Sequence, residues 1–133
     1  MRIDWNLAAT ELDPVAASAA VAELLEENRL LSMATVSPDG TPWAHNVYFC
    51  YDAELNFYFL TRPGSRHAAN LANSAGQVAA TVADSTQDGV PGTRRGLQFR
   101  GECRRARGEW LHRAASTFVA RFPATGCTAI PAF

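Results

Sequence analysis

Ser65, Arg66 and His67 stand in a row just after Pro63-Gly64, and Thr61 lies four residues before the serine. Residues of these types suit an anion. Serine is a preferred helix N-cap, so the stretch Thr61 to Gly76, TRPGSRHAANLANSAG, reads as a strand end, a turn and a short helix. The first N–H groups of a helix have no partner inside it, and the aligned peptide dipoles leave partial positive charge there. Arg66 adds a forked charged donor and Gly64 lets the backbone come close, so a phosphate fits this corner. A ligand-free helix with a solvated arginine would show the same residues, so the flanking elements have to decide.

All twelve basic residues are arginine. Schiff-base chemistry on a lysine and a P-loop lysine are thereby excluded. Six arginines bunch between Arg94 and Arg107, whereas Glu23, Glu26 and Glu27 sit early; the plain reading of the arginines is a solvated strand face. Cys50, Cys103 and Cys127 are odd in number and lack C-x-x-C spacing, which points to reduced thiols in a cytoplasmic protein and away from a structural zinc site. His45 and Asn46 interrupt an apolar run, where polar side chains usually have a hydrogen-bonding duty. His112 falls on a helix surface and is assigned no chemistry.

The elements that must position these groups can be read in order. Ile3, Trp5 and Leu7 alternate as a short strand or a packed arm would. Asp13-Pro14 opens a first helix to about Asn28, with Val15, Val21, Leu24 and Leu25 available for its apolar stripe. LLSMATVS, WAHNVYFC and LNFYFL then follow as three strands joined by turns rich in Pro, Asp and Gly. The middle one is apolar on both sides, with Trp43, Val47 and Phe49 on one and Ala44, Tyr48 and Cys50 on the other. Such a strand is covered twice, by a core and by a ligand or second subunit. Gly76 ends the short helix, QVAATVA is a fourth strand, and DSTQDGVPGTRR is a polar loop. GLQFRGECRRA alternates as a fifth strand, with Gln98, Arg100, Glu102 and Arg104 on its wet face. EWLHRAASTFVARF recurs at helical spacing through Trp110 or Leu111, Ala114, Phe118 and Phe122, up to Pro123.

A chain of 133 residues is one ordinary domain, able to bury roughly two-thirds of its unfolded surface. The expected division is a helix over about 14–28, a barrel over about 29–106 and a helix over about 109–122, all in one domain spanning 1–133. A hydrophobic fraction of 47%, charged residues at 19% and a net charge of −1 fit a globular protein and exclude a broadly basic nucleic-acid binder. The start of the chain lacks the basic and apolar run of a signal peptide, and no stretch reaches membrane-spanning length.

Five strands in meander order, with a short helix after the third, describe a small antiparallel barrel, mainly β with flanking helices. The run from VSPDGTPWAHNVYFCYD through FYFLTRPGSRHAANL to LQFRGECRR resembles the pyridoxamine 5′-phosphate oxidase-like split-barrel superfamily of flavin-binding proteins. The LQFRGECRR and RFP segments resemble its YhbP-like bacterial subgroup. The resemblance covers roughly Arg29 to Arg105 and implies a Greek-key-like split β-barrel that binds FMN noncovalently, with sites between the subunits of a homodimer.

In the oxidases a threonine followed by Ser-Arg-Lys binds the FMN phosphate. Thr61, Ser65 and Arg66 match that pattern, and His67 stands where lysine is expected. A neutral imidazole keeps one donor and loses the permanent charge. The family's second strand lays its backbone along the flavin ring; the matching residues are His45, Asn46, Val47 and Tyr48, with His45 replacing an arginine and Leu60 within reach of the ring. A flavin-contacting glutamine of the oxidases aligns with Gly96, with Gln98 two residues on as its stand-in. The C-terminal arginine-bearing strand used for pyridoxine-type substrates has no match before Phe133, so vitamin B6 oxidation is not the expected reaction. The resemblance thus implies a flavin-dependent oxidoreductase acting on an unassigned small molecule. Its alternatives are the same fold holding F420, or haem with His45 or His67 as axial ligand, or a cofactor-free dimeric barrel.

Overall fold

The computed structural model describes residues 14–85 and 95–123. The Ile3–Leu7 arm, the Asp13 cap, most of the polar loop, Cys127 and the tail lie outside them. Among the described residues the order is α1 (Pro14–Glu27), β1 (Leu30–Val36), β2 (Pro42–Tyr51), β3 (Phe57–Phe59), α2 (Arg66–Asn73), β4 (Gln77–Ala83), β5 (Gly96–Glu102) and α3 (Glu109–Arg121). The five strands form one antiparallel sheet in the order β3-β2-β1-β4-β5.

The expected meander holds for the first three strands only. Instead of continuing beside β3, the chain returns through α2 and lays β4 against β1, pairing Ser32 with Thr81 and Ala34 with Ala79. A two-residue period specifies which side chains are buried and leaves the neighbouring strand open.

Burial alternates along the strands. In β1, Leu31, Met33 and Thr35 are buried while Leu30, Ser32, Ala34 and Val36 are exposed. Val78, Ala80, Val82 and Phe99 continue the inner face, and Gln98 and Arg100 stay outside. The sheet curls: Phe57 on β3 and Phe99 on β5 belong to opposite ends of the strand order, yet their ring centroids are 4.8 Å apart. This is the curvature of a half-barrel.

Each helix covers a different part of the sheet. α1 sends Leu24 and Leu25 into the inner core, with Val21 beside them, whereas Val15 is 77% exposed and does not join the expected stripe. α2 is tied to β1 by a buried hydrogen bond from Asn70 Nδ2 to Thr35 Oγ1, 3.0 Å. α3 packs on the outer face, where Phe118, Ala114 and Phe122 cover Cys50, Tyr58 and Leu60. Part of the second covering expected for β2 therefore comes from the chain's own α3. Trp110 is exposed and Leu111 is the half-buried member of its turn.

The separated charges of the sequence meet here too. Arg95 pairs with Glu23 and Glu27 of α1 and with Asp84. Gly76, at φ +80°, ends the α2 turn where a Cβ would lie 2.1 Å from the carbonyl oxygen of Cys103. Glycine is required there for two reasons, conformation and close approach.

Candidate functional site

The site begins at the helix start that the sequence singled out. Ser65 is the N-cap of α2, in extended conformation, and its Oγ accepts from the Ala68 N–H at 3.4 Å. The first backbone bond of the helix runs from Ala69 N–H to the Ser65 carbonyl at 3.1 Å, so the Arg66 and His67 N–H groups lie ahead of it. Thr61 Oγ1 and Ser65 Oγ are 3.1 Å apart, Ser65 Oγ and His67 Nε2 are 3.1 Å apart, and Thr61 Oγ1 also contacts His67 Nε2. Two hydroxyls and one imidazole nitrogen close a triangle. Beside it, the Arg66 guanidinium lies 4.7 Å from the centroid of the Trp43 ring.

His45 comes to the same corner from β2. It sits opposite Met33 of β1, on the inward face, and its ring stacks on His67 with centroids 3.7 Å apart and planes 12° apart. Both of its ring nitrogens are buried without a hydrogen-bond partner. Burial, aided by the neighbouring His67, pushes His45 down to about 4, and burial also lowers His67. Near neutral pH both rings are uncharged, and Arg66 is the permanent cation of the corner.

The structure thus brings together His45, Thr61, Ser65, Arg66 and His67. It separates the others. Val47 is in the core, whereas Asn46 and Tyr48 point to the outer face, Asn46 accepting at Oδ1 from the Ser32 hydroxyl at 2.5 Å and Tyr48 lying edge-on to Phe122. Gln98 is exposed on the outer face of β5, with β1 and β4 between it and β2. Leu60 lines a cavity of about 440 Å³ with Leu71, Cys103 and Leu111, and Thr61 stands at its edge.

One contributor was missed. The sequence placed Trp43 on one apolar side of the second strand and gave it no role in the site; it is 38% exposed and carries Arg66. Its position two residues before His45, hence on the same face, was the available signal. Burial pushes the Cys50 thiol up to about 12 and Cys103 up to about 11, so neither is a ready thiolate nucleophile. No group of three His, Cys, Asp or Glu that could hold a metal ion occurs among the described residues.

What this corner can do is bind an anion: two hydroxyls, a guanidinium and a helix start converge on it, and His45 offers unused nitrogens. Comparison with known proteins bears on the fold. The family description for pyridoxamine 5′-phosphate oxidase matches residues 17–129. The UPF0306 protein YhbP of Escherichia coli is 36% identical over 72% of this chain and 64% of its own length, so the match stops short of that relative's full extent. Among solved structures, HutZ, the haem storage protein from Vibrio cholerae, superposes with a TM-score of 0.64 at 25% identity, over 78% of this chain and 74% of that one. An F420 reductase superposes with a TM-score of 0.56 at 26% identity, over 83% and 81%. With its curled antiparallel sheet and a family match over most of its length, the chain belongs to the pyridoxamine 5′-phosphate oxidase-like split-barrel family.

Proposed function

We propose that the protein binds FMN noncovalently and acts as a flavin-dependent oxidoreductase on a small molecule. The observation that carries this reading is the convergence of Thr61, Ser65, Arg66 and His67 at the start of α2. The residues fit a phosphate: the two hydroxyls and the guanidinium are donors of the right kind, and the first-turn N–H groups add partial positive charge. The unpartnered nitrogens of His45 call for a polar group from outside the chain. Bound FMN would supply electron or hydride transfer. Thr61, Ser65 and Arg66 would hold the phosphate end, His45 would offer a hydrogen bond at the inward side, and Leu60 would give apolar contact.

The reading includes a homodimer in the cytoplasm. Its support is the outer sheet face, where Leu30, Val36 and Tyr48 are exposed alongside the small side chains of Ala34, Ala44 and Ala79. Free thiols at Cys50 and Cys103 suit a reducing compartment, and no described helix is long and apolar enough to cross a membrane.

A second reading keeps the fold and exchanges the cofactor for haem. His45 favours it, since an uncharged, buried imidazole with both nitrogens unused is the form that ligates iron. The likeness to the Vibrio cholerae haem storage protein is in the same direction, and that to an F420 reductase supports a deazaflavin in the same place. An absorbance spectrum of the purified protein, before and after addition of FMN and gel filtration, separates the readings. Flavin bands co-eluting with a dimer are expected. A Soret band or an F420 spectrum would transfer the site to those cofactors, and a protein that retains none would overturn the cofactor reading.

A further inference from the structure

His67 does two things at once in this fold: its Nε2 contacts both the Thr61 and the Ser65 hydroxyl, and its ring lies flat on His45. Ser65 Oγ already accepts from the Ala68 N–H, so the hydroxyl protons of Ser65 and Thr61 are available to run toward Nε2 of an uncharged His67. Protons spent inside the triangle are not offered to an anion. We propose that phosphate binding at this corner is coupled to the uptake of one proton by His67, and that His45 is the positioning residue that keeps His67 in place and uncharged until the anion arrives.

The proton bookkeeping is simple. Nε2 of His67 takes a proton from solvent and becomes a donor to Thr61 Oγ1, and both hydroxyl protons turn outward to phosphate oxygens. The corner gains one positive charge. His45 stays neutral, because two imidazolium rings with centroids 3.7 Å apart would repel strongly at the reduced dielectric of a half-buried site.

The surroundings explain why the proton waits for the ligand. From β2, the titratable group facing His67 is His45, and its cross-strand neighbour on β1 is the apolar Met33. On α2, Arg66 turns onto Trp43 and is attracted to Asp39 of the β1–β2 turn. Arg62, in the loop before α2, is exposed. Among the described residues no carboxylate forms an ion pair with either imidazole. A protonated His67 therefore has no ion-pair partner among the described residues, and the phosphate supplies one. The lowering of both rings by burial agrees with this placement.

This inference rests on the phosphate reading above, and its test keeps the two apart. FMN and riboflavin affinities are measured by flavin fluorescence from pH 8 to pH 5.5 for the natural protein, His67→Lys and His45→Phe. FMN's own phosphate loses its second proton near pH 6, by about one unit of charge, and this affects every variant alike. Relative to His67→Lys, whose cation is permanent over this range, the natural protein should lose FMN affinity by about tenfold per pH unit above the His67 midpoint. Riboflavin, lacking the phosphate, should show no such difference. His45→Phe keeps the stacked face that buries His67, so the midpoint should stay in place, whereas His45→Ala, measured likewise, uncovers that ring and should move the midpoint up; an unmoved midpoint in His45→Ala would reject the positioning role.

Parallel FMN profiles for the natural protein and His67→Lys would overturn the coupling and leave the phosphate reading standing. FMN bound no more tightly than riboflavin by either protein would overturn both. Nitrogen-15 NMR of the histidine rings gives a readout that does not depend on variants. At pH 7.5 the free protein should show an unprotonated Nε2 on His67, and saturation with FMN should convert that ring, and not His45, to the cation. A His67 ring that stays neutral in the FMN complex would reject the proposal.

Discussion

At its C-terminal end β2 runs into Asp52, whose carboxylate accepts from the Asn56 and Glu54 N–H groups, from the Asn56 side chain and, at 2.7 Å, from the Tyr58 hydroxyl. Arg113 stands 3.5 Å away. Burial would raise this carboxyl, yet the bonds from Tyr58, Asn56 and Arg113 outweigh it and hold Asp52 below its usual range. Nearby, Arg121 reaches across to the end of α1, donating to the Leu25 carbonyl at 2.5 Å and the Asn28 carbonyl at 2.7 Å while its guanidinium faces Phe49 and Tyr51. Toward its N-terminal end the same strand carries His45, whose nitrogens are as withdrawn from water and meet nothing. Arg121 Nε and the Ser37 hydroxyl are also buried without a partner, but Arg121 spends its terminal nitrogens within the chain, whereas His45 leaves both of its polar atoms unmet beside the hydroxyls of the α2 start.

That contrast can be broken or sharpened, and the largest effect should come from the completed end. Arg121→Ala strands the Leu25 and Asn28 carbonyls and opens a gap over Phe49; with the side chain only 9% exposed, the loss should be about 3 kcal/mol of stability by urea unfolding. FMN affinity per folded molecule should not change. An Arg121 variant that kept its stability and lost FMN would reverse the assignment of the two ends.

Arg66→Ala acts in the opposite sense. FMN should bind more weakly by about 1.5–3 kcal/mol, the range for a hydrogen bond to a charged group, with the unfolding midpoint little moved. Calorimetric titration checks this, and unchanged affinity would sink the phosphate assignment.

Acid separates the two ends by pH window. His45 is depressed from 6.5 to about 4, so the unfolded chain binds its proton first. Its contribution is present above about pH 6.5 and is lost as pH falls toward 4, at a cost on the order of 2 kcal/mol for this half-buried ring. Asp52 is also depressed, and its contribution is lost only below the ordinary carboxylate range. His67 is depressed in the same direction, so His45→Phe should reduce the slope of the upper window in urea titrations without abolishing it and leave the lower one unchanged; an undiminished slope would assign the upper window to other groups. The smallest effect belongs to Tyr58→Phe, which removes one of several donors to Asp52 and should cost about 1 kcal/mol.

The helix start of α2 was legible because N-cap chemistry is local: Ser65, three residues before the N–H it caps, needs no distant partner to be recognised. Gln77–Ala83 and the two faces of β5 were legible because burial on one side of a sheet writes a two-residue period. The second covering of β2 was legible as a need, and its source was not. That Phe118 of α3 would lie over Cys50 and Tyr58 depends on where a helix almost sixty residues away folds back. Trp43 was left without a role for a related reason, since an aromatic in an apolar strand is buried only if the strand end that carries it is covered.

By itself the sequence determined the local elements, the two faces of the fifth strand and the presence of hydroxyl and guanidinium donors at one helix start. Those properties follow from backbone sterics, periodicity and capping, which act over a few residues. Only the tertiary structure decided that β4 lies against β1, that the sheet curls until Phe57 meets Phe99, and that His45 lies flat on His67. Two residues twenty-two positions apart are brought ring to ring by the packing of a helix over a curled sheet, and neither the stack nor the unpartnered nitrogens of His45 can be inferred from residue types alone.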